Sequence, residues 1–315
     1  MVVCSVVMPL YNKEDEVASC ISSVLSQSFK DFELIIVNDG STDLSVQVVD
    51  SFKDSRISII NQQNFGVSAA RNTGVRHAQS ELIVFIDADD LWQQDFLATI
   101  IALRDDFPQA KWFETGYEVV HPELERSFSK LGGLFTGFQR GILPDYFSVS
   151  ICSDPPVHSS AMGVMRDALS MIGGFPVNIG SGEDLLTWAR LAVRDPLAYE
   201  VRSCSVFRVS TNHRRADPEN KVGQALKQLV DDYPAEQDLR AYLGLWYRMQ
   251  AVMALRFDEL SLARQCALKA VRYGPKQLRN AYTLLLALIP PQWRKTLDCQ
   301  ARNLLGKKQK NVNAE

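Results

Sequence analysis

The apolar positions of the first hundred residues follow two alternating periods. Short runs that are apolar throughout, Cys4–Leu10, Glu33–Asn38, Arg56–Asn61 and Glu81–Asp87, read as strands buried on both faces. Between them, Glu14–Ser26, a stretch from Ser41 to about Phe52, Val67–Ala78 and Asp95–Phe107 read as helices. In the first helix Val17, Ile21, Val24 and Leu25 share a face and acids occupy the opening turn. Ser41 or Thr42 can cap the second. This alternation predicts a parallel sheet covered by helices on both faces. Ligands of such sheets bind beyond the C-terminal strand ends. Those ends carry Tyr11-Asn12, Asn38-Asp39-Gly40 and Asp87-Ala88-Asp89-Asp90.

From Lys111 the pattern loosens. Trp112–His121 reads as a strand, Ser127–Tyr146 as a loop-rich insertion, and Ser159–Arg166 as a return to the sheet. Glu183–Arg194 has helical spacing, and Ala198–Val209 reads as a closing strand pair. After about residue 215 the strands stop. Ala225–Tyr233, Glu236–Arg256, Leu260–Tyr273 and Lys276–Leu288 read as amphipathic helices, broken by Pro234, Gly274-Pro275 and Pro290-Pro291. Tyr247, Ala251, Ala263, Ala270 and Pro275 have the spacing of one tetratricopeptide-like hairpin, whereas such arrays need about three repeats to be stable. A helical appendage is therefore the simpler reading. The expected organisation is an α/β domain over residues 1–215 and a helical C-terminal extension with a basic tail over 216–315.

Composition narrows the class. The chain has 315 residues, 46% of them hydrophobic, with 34 Lys+Arg against 37 Asp+Glu, which excludes disorder, collagen and coiled coil. Its net charge of −3 gives no basic footprint for nucleic acid. That average conceals a split: residues 1–209 hold 16 Lys+Arg and 27 Asp+Glu, net −11, and residues 210–315 hold 18 and 10, net +8. Six scattered cysteines without a CxxC pair or a His at ligand spacing argue against a zinc site or a disulfide framework, and for a reducing compartment. Met1–Pro9 has neither a basic n-region nor a cleavage site, so it is not read as a signal peptide. Apolar runs such as Thr283–Pro291 are shorter than the ~20 residues a membrane span needs. A cytoplasmic protein is expected.

The chemistry concentrates in an NDGSTD turn, Asn38–Asp43, and a DADD cluster, Asp87–Asp90. Three carboxylates within four residues repel one another, and a divalent cation relieves that cost. Hard oxygen donors suit Mg²⁺ or Mn²⁺ shared with substrate phosphates. A solvated helix-capping turn is the plainer alternative, but a cap needs one Asp rather than three.

Taken in order, VVMPLYN (Val6–Asn12), VNDGSTD (Val37–Asp43), NFGVSAARNTG (Asn64–Gly74), FIDADD (Phe85–Asp90), GGF (Gly173–Phe175) and GED (Gly182–Asp184) resemble family-2 glycosyltransferases of the GT-A fold over residues 4–209. The resemblance implies a mostly parallel sheet sandwiched by helices, with a nucleotide-binding half over 1–110 and an acceptor-binding half over 111–215. It implies metal-dependent, inverting transfer of a sugar from a nucleotide-diphosphate donor, a UDP-sugar foremost, to a hydroxyl of a glycan or lipid-linked acceptor. The expected setting is cell-surface polysaccharide, lipopolysaccharide or glycoconjugate synthesis, and the expected cofactor is Mn²⁺ or Mg²⁺.

Roles follow residue by residue from the same resemblance. Pro9, Tyr11 and Asn12 line the nucleotide base, and Asp39 accepts its imide N–H. Ser68 and Arg71 lie under ribose and diphosphate, Ser68 as a helix cap and Arg71 as a fork for phosphate oxygens. Asp87 contacts ribose, Asp89 and with it Asp87 are the metal candidates, small Ala88 leaves room for the nucleotide, and Asp90 supports them. Asp184 is the general base and Glu183 orients the acceptor. Each has a plainer reading: an Asx turn for Asp39, core packing for Tyr11, a salt bridge for Arg71, dipole-favoured acids at a helix start for the Glu183-Asp184 pair.

The chain departs from the family where relatives carry Tyr-Arg-x-His. Here Phe207-Arg208-Val209-Ser210 stands there, with His213 later, so Arg208 and His213 are weaker diphosphate or metal candidates. His158 is a candidate acceptor contact, and Lys111–Pro156 is the expected seat of specificity. Arg294, Lys295, Lys307, Lys308 and Lys310 suggest peripheral contact with an anionic membrane face, against the plainer reading of a solvated tail. A catalytically silent interaction module working through the C-terminal helices is the main alternative. A nucleotidyltransferase is disfavoured because acids replace the Gly-rich loop after the first strand, and a dehydrogenase because no GxGxxG follows it.

Overall fold

A computed structural model describes residues 2–121, 125–209, 216 and 219–290. The chain divides into two compact units, Met1–His213 with Gln228–Glu236, and Arg214–Lys227 with Gln237–Glu315. The first is built on a sheet of β1 (Cys4–Leu10), β2 (Phe32–Asp39), β3 (Ile57–Gln62), β4 (Leu82–Phe85), β5 (Leu91–Trp92), β6 (Trp112–Val120), β7 (Arg126–Phe128), β8 (Arg140–Ile142), β9 (Met162–Met165) and β10 (Leu197–Arg208). The strand order is β3-β2-β1-β4-β9-β6-β10-β5, with β7 on β6 and β8 on β10. β3, β2, β1 and β4 run parallel, β9 is antiparallel to both β4 and β6, and β10 is parallel to β6.

Alternation along β1 sorts the helices onto two faces. Cys4, Val6, Met8 and Leu10 enter a core shared with α1 (Val17–Leu25) and α4 (Phe96–Asp106). Val7 points the other way, to Gly74 of α3 (Val67–His77), where an added Cβ would lie 2.3 Å from Val7 Cγ1. On that second face an aromatic chain, Phe85–Phe175 at 5.1 Å, Phe175–Trp188 at 5.8 Å and Trp112–Trp188 at 6.5 Å, ties α7 (Glu183–Ala192) to β4 and β6.

The structure differs from the sequence expectation in several local features. Ala198–Val209 is not a strand pair but the greater part of one strand, β10, whose register against β6 shifts between Glu200 and Ser203 and again between Ser203 and Ser205. Polar residues in that stretch interrupt the apolar run and read falsely as a turn. Gly116 makes the irregularity possible: a Cβ there would sit 2.3 Å from the backbone oxygen of Val201. Gly116→Ala is expected to destabilise the first unit by ~1–3 kcal/mol, as overpacking does, read as a lowered denaturant midpoint with unchanged slope. The stretch expected as a loop-rich insertion, Ser127–Tyr146, carries β8 and most of β7, and α5 (Tyr146–Cys152) follows it. α1 begins at Val17 without acids in its first turn, and α2 (Ser45–Asp50) is preceded by Leu44 rather than capped by Ser41 or Thr42. The remaining short helices are a 3-10 turn at Ser159–Ala161 and α6 (Arg166–Met171).

Four helices follow, α8 (Lys221–Asp232), α9 (Gln237–Arg256), α10 (Leu260–Tyr273) and α11 (Leu278–Leu288), and the division between units falls within α8. α9 and α10 form a hairpin, with Ala251, Ala263 and Ala270 buried and Tyr247 stacked on Tyr273 at 5.7 Å. Asn280 donates to the carbonyls of Ala270 and Gly274, each at 2.9 Å, and so ties α11 to the end of α10. No helix among the described residues is long and apolar enough to cross a membrane. The five described cysteines are free. Arg294, Lys295, Lys307, Lys308, Lys310 and His213 lie outside the described residues.

Candidate active site

The acids of DADD leave the end of β4 and diverge at once, each to a different partner. Asp87 Oδ1 accepts from Arg71 Nη2 at 2.7 Å. Asp89 Oδ2 pairs with Lys13 Nζ at 2.6 Å. Asp90 turns inward, where Oδ2 accepts from Ser160 Oγ at 2.5 Å and Oδ1 from the backbone N–H of Arg208 at 3.0 Å. Burial, reinforced by the charges of Asp87 and Asp89, pushes the Asp90 carboxyl well above its ordinary range. Ser160 Oγ also accepts the N–H of Asp87 at 2.9 Å, so one serine sets both ends of the acidic turn. Ala88 is buried and packs in the core.

Arg71 is the cation beneath this turn. It is 2% exposed, and Nη1 lies 3.8 Å from Glu183 Oε1, across from Asp87. Burial alone would lower its pKa, but Asp87, Glu183 and Asp184 together raise it. Its neighbour Asn72 explains how Glu183 and Asp184 arrive there. Asn72 Oδ1 accepts from Phe175 N at 2.9 Å and Nδ2 donates to Phe175 O at 2.8 Å, pinning the GGF turn, and with it the approach to α7, on α3. Glu183 is buried; Asp184 is half-buried, with Oδ1 accepting the N–H of Leu185 at 2.8 Å.

Asp39, at the end of β2, holds the start of α3. Its Oδ1 accepts from Gln62 Nε2 at 2.7 Å and Phe65 N at 3.0 Å, and its Oδ2 from Gly66 N at 2.8 Å. Gly66 has φ +88° and ψ 163°, a conformation nearly confined to glycine. The buried hydroxyl of Ser68 does not cap α3 and has no hydrogen-bond partner among the described residues. Asn12, at φ +50°, accepts the N–H of Thr42 at 2.8 Å and so ties the β1 end to the β2 end. Tyr11 is exposed beside it, whereas Pro9 is buried within β1.

Sequence reasoning missed Lys13 and Ser160. Burial lowers the Lys13 pKa, but its hydrogen bond with Asp89 and that carboxylate's charge outweigh burial and raise it. A lysine next to Tyr11-Asn12 was visible in the sequence; that it faces Asp89, 76 residues away, was not. Arg208 reaches the turn through its backbone, because β10 pairs with β5 just after Asp90. Glu114 on β6 is fully buried, with Oε1 accepting His158 N at 3.1 Å and Oε2 without a partner among the described residues. Burial pushes its pKa well up, against the smaller opposing effect of the His158 N–H. A raised carboxyl pKa stabilises the fold below the unfolded value of ~4.3 and is lost as pH climbs through the folded value. Glu114→Gln should therefore gain melting temperature relative to wild type as pH rises above about 4.3; a pH-independent difference would contradict this.

Among the described residues, no three His, Cys, Asp or Glu side chains form a cage for a metal ion. Magnesium-type sites commonly use only one or two carboxylates plus substrate oxygens, and Asp89, whose Oδ2 pairs with Lys13, is a hard donor of that kind.

Residues 5–141 match the model described as glycosyl transferase family 2. The first unit carries a family-2 glycosyltransferase domain. An uncharacterized glycosyltransferase of Rickettsia conorii is 31% identical over 207 residues, 65% of this chain and 33% of that protein. The uncharacterized glycosyltransferase YibD of Escherichia coli is 34% identical over 172 residues, 51% of this chain and 48% of YibD. The chain thus spans a third to a half of these relatives' length. Among solved structures, S. aureus TarS 1-349 in complex with UDP-GlcNAc superposes with a TM-score of 0.69 at 14% identity, covering 93% of this chain and 92% of that one. That likeness places the glycosyltransferase domain in the GT-A fold.

Proposed function

We propose that the chain is an inverting glycosyltransferase that moves a sugar from a nucleotide-diphosphate donor, a UDP-sugar foremost, to an acceptor hydroxyl in surface-polysaccharide or glycoconjugate synthesis. The observation carrying this reading is Arg71, which brings Asp87 from β4 and Glu183 from α7 onto one guanidinium, with Asp184 adjoining. Acids of the donor half and the acceptor half thereby meet at one guanidinium.

Asp184 is the group best placed to take the acceptor's proton. Glu183 is more buried and is already paired with the Arg71 guanidinium, which leaves Asp184 the more accessible carboxylate. As the acceptor oxygen attacks C1, its proton passes to Asp184, the bond from C1 to the phosphate oxygen breaks, and the nucleoside diphosphate departs with that electron pair. A single displacement inverts C1. Asp87 is held by Arg71 for the ribose, while Tyr11 and the Asn12 turn border the base. Asp89 and the diphosphate would hold Mn²⁺ or Mg²⁺, which supplies Lewis-acid stabilisation of the leaving group. Lys13 adds a positive charge at the same place. TarS, bound to UDP-GlcNAc in its solved complex, supports a uridine nucleotide here by likeness of fold.

The test is release of nucleotide from a panel of nucleotide sugars with Mn²⁺. Slow hydrolysis of at least one donor is expected, abolished by Asp89→Ala. No turnover of any donor, with or without candidate acceptors, would overturn the reading.

A further inference from the structure

His158 lies beside the acidic turn with its ring held from three sides. Its backbone N–H is anchored on the buried Glu114, and its ring packs against Phe207 at 4.3 Å and Tyr117 at 5.3 Å. Nδ1 accepts the backbone N–H of Ser160 at 3.2 Å. A backbone amide can only donate, so Nδ1 carries no proton and the neutral ring must carry its proton on Nε2. Nδ1 is also the inward edge, 4.0 Å from the buried Asp90 Oδ2. Nε2, on the opposite edge, has no partner among the described residues, and the side chain is 19% exposed. Burial lowers the ring's pKa, partly offset by Asp87 and Asp184, and Arg71 lowers it further. The ring is therefore a neutral donor beside the acidic turn.

We propose that His158 Nε2–H donates a hydrogen bond to an oxygen of the glycosyl group being transferred, which makes His158 a donor-sugar specificity residue. This rests on the nucleotide-sugar reading of the site. The transferred sugar must lie between the nucleotide side, marked by Asp87, and the base, Asp184, and Ser160, which accepts the Asp87 N–H, also donates its own N–H to His158, so His158 lies next to the nucleotide side. A neutral N–H suits an uncharged hydroxyl or amide oxygen, whereas a diphosphate calls for a cation such as Lys13. Ionised carboxylates only accept, so a sugar oxygen that acts as an acceptor beside Asp87 and Asp184 needs a donor of this kind.

The experiment is calorimetric titration of the full chain, with Mn²⁺, by UDP, UDP-glucose, UDP-galactose and UDP-GlcNAc. His158→Phe keeps an aromatic ring between Tyr117 and Phe207 without the N–H, and His158→Gln restores a donor. Expected is wild-type affinity for UDP in both variants. In His158→Phe the UDP-sugar to UDP affinity ratio should fall about 5- to 10-fold for the sugar wild type prefers, with recovery in His158→Gln. Equal losses for UDP and UDP-sugar, or no change in either, would overturn the His158 assignment alone. Wild-type protein that binds neither UDP nor any UDP-sugar would overturn the site reading with it. Nitrogen-15 spectra of the wild-type imidazole need no variant: the Nε2-protonated neutral form is expected, perturbed by the UDP-sugar and not by UDP. A ring protonated on Nδ1 would contradict the proposal.

Discussion

Asp184→Asn is expected to bind the nucleotide sugar as wild type does and to transfer it ~10²–10⁴-fold more slowly, the range general-base catalysis spans. The asparagine keeps the side chain's shape and its acceptor for the Leu185 N–H, so the α7 start should hold. What it cannot do is take a proton. Initial rates at saturating donor and acceptor, paired with equilibrium titration of the donor, separate the two effects. A rate within a few-fold of wild type would remove Asp184 as the base, and would direct attention to Glu183 despite its burial and its guanidinium neighbour.

Arg71→Met should produce the largest loss of stability. The wild-type guanidinium is nearly inaccessible and compensates Asp87 and Glu183 at once, while its face lies 5.2 Å from the Phe175 ring. Truncating one partner of a buried ionic cluster leaves the others uncompensated and costs ~3–5 kcal/mol. In a unit of this size that corresponds to a melting-temperature drop of roughly 6–20 °C. Lysine at the same position should recover charge but not the fork that meets two carboxylates, so Arg71→Lys is expected to fall between. A Met variant with unchanged melting temperature would mean that the acids are satisfied by other groups.

The ends of β1, β2 and β4 were legible because each follows an unbroken apolar run, and the acids stand immediately beyond it. Helices α3, α4, α9 and α10 were legible from their spacing, with boundaries close to those observed. The arrangement of the site was less so. Glu183 and Asp184 come to Asp87 because Phe85, Phe175 and Trp188 pack in sequence and Asn72 grips Phe175 across 103 positions. Contacts at that separation leave no periodic trace. Ser160 is a serine like many others until β9 inserts antiparallel between β4 and β6 and delivers it to Asp87 and Asp90. β5 is two residues long, too short for any periodicity, yet its pairing with β10 brings Arg208 to Asp90. The irregular β10 misled for a local reason: its register shifts place polar side chains where a regular strand would continue its alternation.

The most direct test is calorimetric titration of UDP into wild-type protein and Asp89→Ala, each with and without Mn²⁺. Wild type should bind UDP at least about tenfold more tightly when Mn²⁺ is present, a coupling of about 1.4 kcal/mol, and the alanine variant should lose that dependence. UDP affinity indifferent to both Mn²⁺ and Asp89 would contradict a cleft in which acids at the strand ends and a divalent cation together hold a diphosphate.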